Sequence, residues 1–150
     1  MCGISGAVGL KNISELLFEG IRNLEYRGYD SCGVALMNKT RLLIKKDIGG
    51  VEEFYRKHNV LQLKSKIGIA HTRWATHGPP TDRNAHPHLG GGCANGQGHS
   101  VAIVHNGVVE NYHSIKARLE VEGYVFQSET DSEVIAHLID SSLKQILSKG

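Results

Sequence analysis

Cys2 is the side chain of this sequence best placed to act as a nucleophile. It follows Met1, and a residue this small allows Met1 to be removed, which would leave Cys2 with a free α-amino group. An α-amino group has a pKa of about 7.7–8.0, so it could accept the proton of the neighbouring thiol directly or through a water. One residue would then supply both nucleophile and base. The alternative, a small buried residue in a strand, is open at this point.

Asn106 and Gly107 lie between two apolar runs and allow two interpretations. An Asn-Gly pair is the strongest short signal for a two-residue β-hairpin turn. It could instead form an oxyanion hole, in which the asparagine amide and the glycine backbone N–H both point at a developing negative oxygen. Glycine suits that role because it lets the backbone approach a ligand closely.

Arg73 and Asp131 could bind the two charges of a small substrate. Arg73 lies in the segment HTRWATHG, and a guanidinium can hold a carboxylate through two parallel hydrogen bonds. The alternative is a structural arginine in an ordered loop. Asp131 lies in ETDSE at a predicted helix start, where it could hold a substrate ammonium group or serve as a capping-turn residue.

The nine histidines raise the question of a metal site. Histidine nitrogens and cysteine sulfur are zinc ligands, and the candidates are His71, His77, His86, His88, Cys93, His99 and His105. No established ligand spacing recurs among them, so the sequence does not favour a metal. The glycine-rich segment Gly90–Gly98 lacks the lysine of a phosphate-binding loop and precedes no helix, so we interpret it as a flexible insertion rather than a nucleotide site.

The composition indicates one ordinary globular domain. The chain has 150 residues, of which 40% are hydrophobic and 21% charged, with a net charge of +2. These values argue against a disordered chain, and the absence of a basic run gives no support to nucleic acid as a partner. No apolar run approaches the roughly 18 residues of a membrane span, and the amino end does not resemble a signal peptide. Three scattered cysteines are no disulfide framework, so we expect a cytoplasmic protein.

Strands and helices alternate along the chain, which indicates a layered fold containing both. We predict strands at 2–8, 34–37, 42–44, 67–70, 101–105 and 124–126, and we expect residues 71–100 to be irregular. Helices are predicted from Asn12 towards Gly28, around 51–58, from Asn111 to Leu119 and from Thr130 to Leu147. Asn12 with Glu15, and Thr130 with Glu133, have the spacing of capping boxes.

Six motifs occur in the order found in one family. They are MCGISG at the amino end, LEYRGYDSCG at Leu24–Gly33, AHTRWATHG at Ala70–Gly78, NAHPH at Asn84–His88, VHNGVVEN at Val104–Asn111 and SETDSEVIAHL at Ser128–Leu138. Together they resemble the glutaminase domain, a class II glutamine amidotransferase domain, of the glucosamine-6-phosphate synthases. Sister amidotransferases share Cys-Gly-Ile and Asn-Gly, whereas the RGYDS and HTRWATHG segments favour the aminosugar family.

The resemblance implies an α+β fold of the N-terminal-nucleophile hydrolase type, a four-layer αββα sandwich. It implies that Cys2 attacks the side-chain amide of L-glutamine and that Asn106 and Gly107 stabilise the oxyanion. Arg73 would hold the α-carboxylate and Asp131 the α-ammonium group. The loop that closes over glutamine would contain Trp74, Thr76, His77 and Gly78. Arg27 would support the Cys2 end of the site, and no cofactor or metal is implied.

The sequence departs from the family pattern in two places. Leu89–Ser100 is longer and richer in glycine than the usual link, so Cys93 and His99 are given no role. The family domain also continues past Gly150 into further strands and a sugar-isomerase domain. We therefore expect residues 1–150 to be the N-terminal portion of the domain, with the isomerase part as its partner and a homo-oligomer in the full enzyme. The alternatives are a non-enzymatic or metal-binding remnant and another class II amidotransferase.

Overall fold

The computed structural model describes residues 2–27, 29–39, 41–75, 78–91 and 99–149, with the side chains of Arg27, His99 and Ser100 outside that description. The strands are β1 (Gly3–Val8), β2 (Ser31–Asn38), β3 (Arg41–Ile48), β4 (Ile67–Arg73), β5 (His88–Gly91) and β6 (His99–Ile103). The helices are α1 (Ser14–Arg22), α2 (Val51–Lys57), α3 (Tyr112–Val121) and α4 (Glu133–Leu147). Short 3₁₀ turns lie at Glu25–Arg27 and Val60–Gln62.

The described strands form two antiparallel sheets. The first has the order β1-β4-β2-β3, and the second pairs β5 with β6. Gly3 lies opposite Thr72 in the β1–β4 ladder. Because this register is antiparallel, Cys2 is carried to the end of β4 where Arg73 and Trp74 follow. Backbone pairing therefore delivers the nucleophile candidate to the HTRWATHG segment.

Alternation along the strands divides the first sheet into an apolar face and a face that carries the site. The apolar face packs against α1 and α2 and buries the larger core, which includes Leu17, Ile21, Cys32, Val34, Leu36, Phe54 and Ala70. Neighbouring residues of β4 point the other way because side chains alternate in a strand. His71 and Arg73 thus lie on the face that meets the second sheet, where the His71 ring is 4.4 Å from that of His86.

The second sheet is covered by α4, which packs on β5 and β6, and α3 packs on α4. A smaller core forms there around Leu119, Tyr124 and Val134. The order of layers is therefore helices, sheet, sheet, helices, as the αββα expectation requires. Two glycines make the close approaches possible: a Cβ on Gly90 would lie 2.0 Å from the Ala136 carbonyl oxygen, and one on Gly33 would lie 2.2 Å from that of His86.

Most predicted elements are confirmed, but the irregular segment and one strand are wrong. β4 continues through Arg73, and His88–Gly91 forms β5 rather than loop, because its glycines admit α4 against the backbone. Gly90 and Gly91 thus belong to a strand, and the rest of the proposed insertion lies outside the described residues. No strand forms at 124–126, where Tyr124 and Phe126 instead pack their rings on His137.

Neither capping box forms, because each side chain finds a tertiary partner. Asn12 accepts hydrogen bonds from the Ser65 backbone N–H and the Ser14 hydroxyl, and α1 begins without a side-chain cap. Thr130 is hydrogen-bonded to His88, and α4 begins at Glu133. Of the helices in the described part of the chain, none has the length and apolar character needed to cross a bilayer.

Candidate active site

Five separated segments of the chain meet around one small cavity of about 50 Å³ at the junction of the two sheets. They are the start of β1, the end of β4, the segment before β5, the loop after β6 and the loop before α4. The lining residues are Cys2, Arg73, Trp74, His86, His105, Asn106, Gly107, Thr130, Asp131 and Ser132. Six of the site residues expected from the sequence are therefore neighbours: Cys2, Arg73, Trp74, Asn106, Gly107 and Asp131.

The Cys2 thiol is held by the backbone of the residue that follows β4. The Trp74 N–H donates to Sγ at 3.2 Å, and the Trp74 carbonyl oxygen lies 3.6 Å from the same sulfur. A backbone N–H aimed at sulfur stabilises a thiolate, because a hydrogen bond to the charged form favours that form. Cys2 is only partly buried, so its sulfur is accessible to a substrate in the cavity.

Asn106 bridges the nucleophile strand and β4. Its amide nitrogen donates to the Cys2 carbonyl oxygen at 3.2 Å, and its amide oxygen lies 2.8 Å from Nε2 of His71. Gly107 follows with a φ of +154°, and a Cβ there would lie 2.8 Å from Nε2 of His105. These residues lie in the loop that joins β6 to α3, so the hairpin interpretation of Asn106–Gly107 is wrong.

Arg73 is a buried cation at the back of the site. Its guanidinium donates to the carbonyl oxygens of Gly78 at 3.3 Å and Pro79 at 3.4 Å, and the residue is 4% exposed. Burial lowers the pKa of Arg73, although the nearby acidic groups Asp30 and Asp131 oppose that effect. Arginine nevertheless stays protonated at every working pH, so the cavity contains a fixed positive charge.

Asp131 is the corresponding buried anion. One of its carboxylate oxygens accepts the Val109 backbone N–H at 2.6 Å, and the other lies 3.4 Å from the Ser132 hydroxyl. The carboxylate thus binds the segment after Asn106–Gly107 rather than a backbone N–H at the start of α4. The cavity therefore holds one cation and one anion, both largely removed from bulk water.

The other residues expected at the site lie at its rim or outside the described part of the chain. Trp74 is 48% exposed at the rim, and Gly78 has a φ of +76° and contributes its carbonyl to Arg73. Thr76 and His77 lie outside the described residues, as does the side chain of Arg27, whose backbone forms part of a 3₁₀ turn. Within the described ranges, no group of three or more His, Cys, Asp or Glu side chains is placed to hold a metal ion.

Sequence reasoning missed two residues that support the site. Asp30 accepts the Ala75 backbone N–H at 2.7 Å, which ties the segment after β4 to the turn before β2. His71 contacts Asn106 and was weighed only as a metal ligand. Asp30 could have been predicted, since it lies in the RGYDS segment of the motif LEYRGYDSCG. Nothing in the sequence pairs His71 with Asn106, because His71 lies in a strand of the first sheet and Asn106 lies in the loop after the second.

Several known proteins are similar to this chain in sequence. A family described as "Glutamine amidotransferase domain" matches residues 93–149. The glutamine–fructose-6-phosphate aminotransferase of Acinetobacter baylyi is 50% identical over 97% of this chain and 22% of its own length. That of Pyrococcus horikoshii is 48% identical over 96% of this chain and 23% of its own length. The chain thus spans about a fifth of the length of these curated relatives.

Solved structures extend the likeness to the fold. The glutamine phosphoribosylpyrophosphate amidotransferase of B. subtilis superposes with a TM-score of 0.71 and 31% identity, covering 93% of this chain and 28% of that one. The architecture is accordingly that of the N-terminal-nucleophile hydrolases, as the motifs implied. The chain is thus similar to the glutamine amidotransferase domain over residues 93–149, and over nearly its whole length it is similar to the amino-terminal glutaminase region of the glutamine–fructose-6-phosphate aminotransferases.

Proposed function

We propose that this chain hydrolyses the side-chain amide of L-glutamine, with Cys2 as the nucleophile. The observation that supports this proposal is the convergence of a cysteine, an asparagine amide, a buried cation and a buried anion on one cavity. A zwitterionic amino acid with a terminal amide matches these four features. The α-carboxylate pairs with Arg73, the α-ammonium group pairs with Asp131, and the amide carbon is directed towards the sulfur of Cys2.

Removal of Met1 during maturation makes the α-amine of Cys2 available as a base. The amine accepts the thiol proton, and Sγ attacks the amide carbon of glutamine to form a tetrahedral intermediate. The amide nitrogen leaves as ammonia after taking a proton from the Cys2 ammonium group. Water then attacks the γ-glutamyl thioester, which releases glutamate and restores the thiol. The Trp74 N–H supports the thiolate before attack, since it already donates to this sulfur.

Asn106 and Gly107 act on the charge that forms during attack. Asn106 has two amide hydrogens, and only one of them is used by the Cys2 carbonyl. The second hydrogen and the Gly107 backbone N–H bind the oxyanion of the tetrahedral intermediate. Donors fixed in advance stabilise this charge because they need no reorganisation when it appears.

Around Arg73, the loop residues Trp74, Thr76, His77 and Gly78 cover the bound amino acid, and Arg27 supports the Cys2 end.

We propose that ammonia released here converts fructose 6-phosphate to glucosamine 6-phosphate in a sugar-isomerase domain. The supporting fact is the naming of the curated relatives, which are aminotransferases of fructose 6-phosphate. We further propose a cytoplasmic location and a homo-oligomeric full enzyme, and no cofactor takes part.

The decisive experiment compares two cysteine variants. Cys2→Ala should abolish glutamate release from glutamine, whereas Cys32→Ala serves as the control because Cys32 is buried in the core. Burial raises the pKa of the Cys32 thiol, with Glu25 and Asp47 adding to that effect, so this thiol is inert. An electrophilic glutamine analogue should label Cys2 alone, and mass spectrometry should find Met1 absent. Glutamate release that survives Cys2→Ala would refute the proposal.

A further inference from the structure

His71 contacts the amide group on which the oxyanion step depends. Its ring projects from β4 towards the second sheet, and Nε2 lies 2.8 Å from Oδ1 of Asn106. We propose that His71 is a positioning residue that holds the Asn106 amide with its NH₂ group facing Cys2 and the oxyanion. This inference rests on the proposed glutaminase function and adds a positioning residue to it.

The orientation of the amide follows from what its two neighbours can do. The Cys2 carbonyl oxygen can only accept a hydrogen bond, so the group that faces it at 3.2 Å must be the Asn106 NH₂. The amide oxygen then faces His71 and needs a donor there. Nε2 of His71 must therefore carry the hydrogen. A flipped amide would set its oxygen against the Cys2 carbonyl, which would place two acceptors in contact.

The imidazole of His71 is neutral and has only one hydrogen to give. The residue is fully buried, and burial lowers its pKa to about 4, although the contact with Asn106 opposes that effect. Donation at Nε2 leaves Nδ1 as an acceptor, and Nδ1 has no hydrogen-bond partner among the described residues. A buried polar atom without a partner costs stability. An apolar residue would avoid this cost, so the histidine is explained by its donor at Nε2.

Loss of this donor should affect the rate more than substrate binding. Without His71 the Asn106 amide can rotate, and a smaller fraction of molecules presents the NH₂ group to the oxyanion. Misplacing a catalytic group by about 1 Å can cost on the order of 100-fold in rate. We therefore expect His71→Leu to lower kcat by about 10- to 100-fold and to leave the KM for glutamine nearly unchanged.

The experiment separates positioning from simple structural support. In His71→Gln, the side-chain NH₂ replaces the Nε2 donor, and this variant should recover most of the lost kcat. His58→Leu is the control, because it removes a partly buried imidazole that contacts Asp47 just after α2 and does not line the cavity. In an Asn106→Ala background, His71→Leu should cause no further loss, since the group that it positions is gone. A His71→Leu enzyme with normal kcat, or an equal loss in both backgrounds, would overturn the inference.

A spectroscopic measurement keeps this inference distinct from the proposed function. The ¹⁵N chemical shifts of the His71 ring in the unmodified protein should show the neutral Nε2–H tautomer. If the protein does not release glutamate from glutamine, the proposed function is refuted. The tautomer of His71 still tests whether its Nε2–H donates to the Asn106 amide oxygen. Nε2–H supports the positioning contact, whereas Nδ1–H refutes it.

Discussion

Glu133 at the start of α4 offers a sharp test of how the Asp131 side of the site is held in place. The residue is 2% exposed, and its carboxylate accepts the backbone N–H groups of Gln127 at 2.8 Å and Ser128 at 2.7 Å. It also accepts the Ser128 hydroxyl at 2.6 Å. These bonds fix the segment that leads into Asp131, so loss of the carboxylate should damage both stability and glutamine binding.

The variant Glu133→Gln keeps the shape of the side chain but removes one acceptor. One carboxylate oxygen binds the Gln127 N–H and the other binds both groups of Ser128, so an amide NH₂ must face at least one of these donors. A hydrogen bond to a charged group contributes about 1.5–3 kcal/mol, and breaking a buried charged network costs about 3–5 kcal/mol. We expect the free energy of unfolding to fall by about 3 kcal/mol.

The effect of Glu133 should also depend on pH. Burial raises the pKa of this carboxyl, but the His137 imidazole 3.5 Å away and the hydrogen bonds from Ser128 and the Gln127 backbone N–H outweigh burial and lower the pKa overall. A carboxyl whose pKa is lowered in the folded state stabilises the protein fully when the pH is above its unperturbed pKa, here 4.5. This stabilisation is lost as the pH falls from 4.5 through the lowered pKa of the folded state. The gap between Glu133→Gln and the unmodified protein should therefore narrow below about pH 4.5.

Urea unfolding at several pH values measures both effects. The control is Glu120→Gln on the exposed surface of α3, which should change the free energy of unfolding by no more than about 0.5 kcal/mol. If Glu133→Gln is as stable as this control at pH 7, the network does not hold the segment. If the gap between Glu133→Gln and the unmodified protein does not change between pH 7 and pH 3, the charge of Glu133 is not its source.

Two further predictions concern the chemistry of the cavity. Asn106→Ala should lower kcat for glutamine hydrolysis by about 100-fold or more with little change in KM, because the lost donor acts mainly on the transition state. Steady-state kinetics would contradict this role if KM alone rose. Arg73→Ala and Asp131→Ala should each raise KM at least about 30-fold, since removing one partner of a desolvated charge pair costs about 2–5 kcal/mol. Titration with an uncharged amide that lacks the amino-acid head group is the control, and its binding should not respond to either variant.

The local patterns of the sequence predicted elements well where one segment contains its own signal. The helix at Glu133–Leu147 has apolar residues at helical spacing, and β1 and β2 appear as short apolar runs bounded by turns. β5 was missed because its glycines give no periodic signal, and its strand exists only through pairing with β6 and contact with α4. The strand predicted at 124–126 does not form for the opposite reason. Its aromatic residues pack on His137, but no strand lies beside them to pair with.

The capping predictions show the same limit at the level of single hydrogen bonds. Asn12 and Thr130 have the right type and spacing for caps, and spacing is all that the sequence can supply. Each side chain instead binds a group far along the chain, Ser65 for Asn12 and His88 for Thr130. A polar side chain chooses among competing partners only after packing has brought those partners within reach.

The identity and order of the chemical groups were determined by the sequence alone. Six motifs in order were enough to name Cys2, Asn106, Arg73 and Asp131 and to give each an expected role. Only the tertiary structure brought them together: Asn106 reaches Cys2 across 104 positions, because β1 pairs with β4 and the loop after β6 lies over the end of that pair. The contact of His71 with Asn106 was likewise decided by packing between two sheets. Spacing along a chain specifies which face of one element a residue occupies, whereas distances between elements depend on which elements pair and pack.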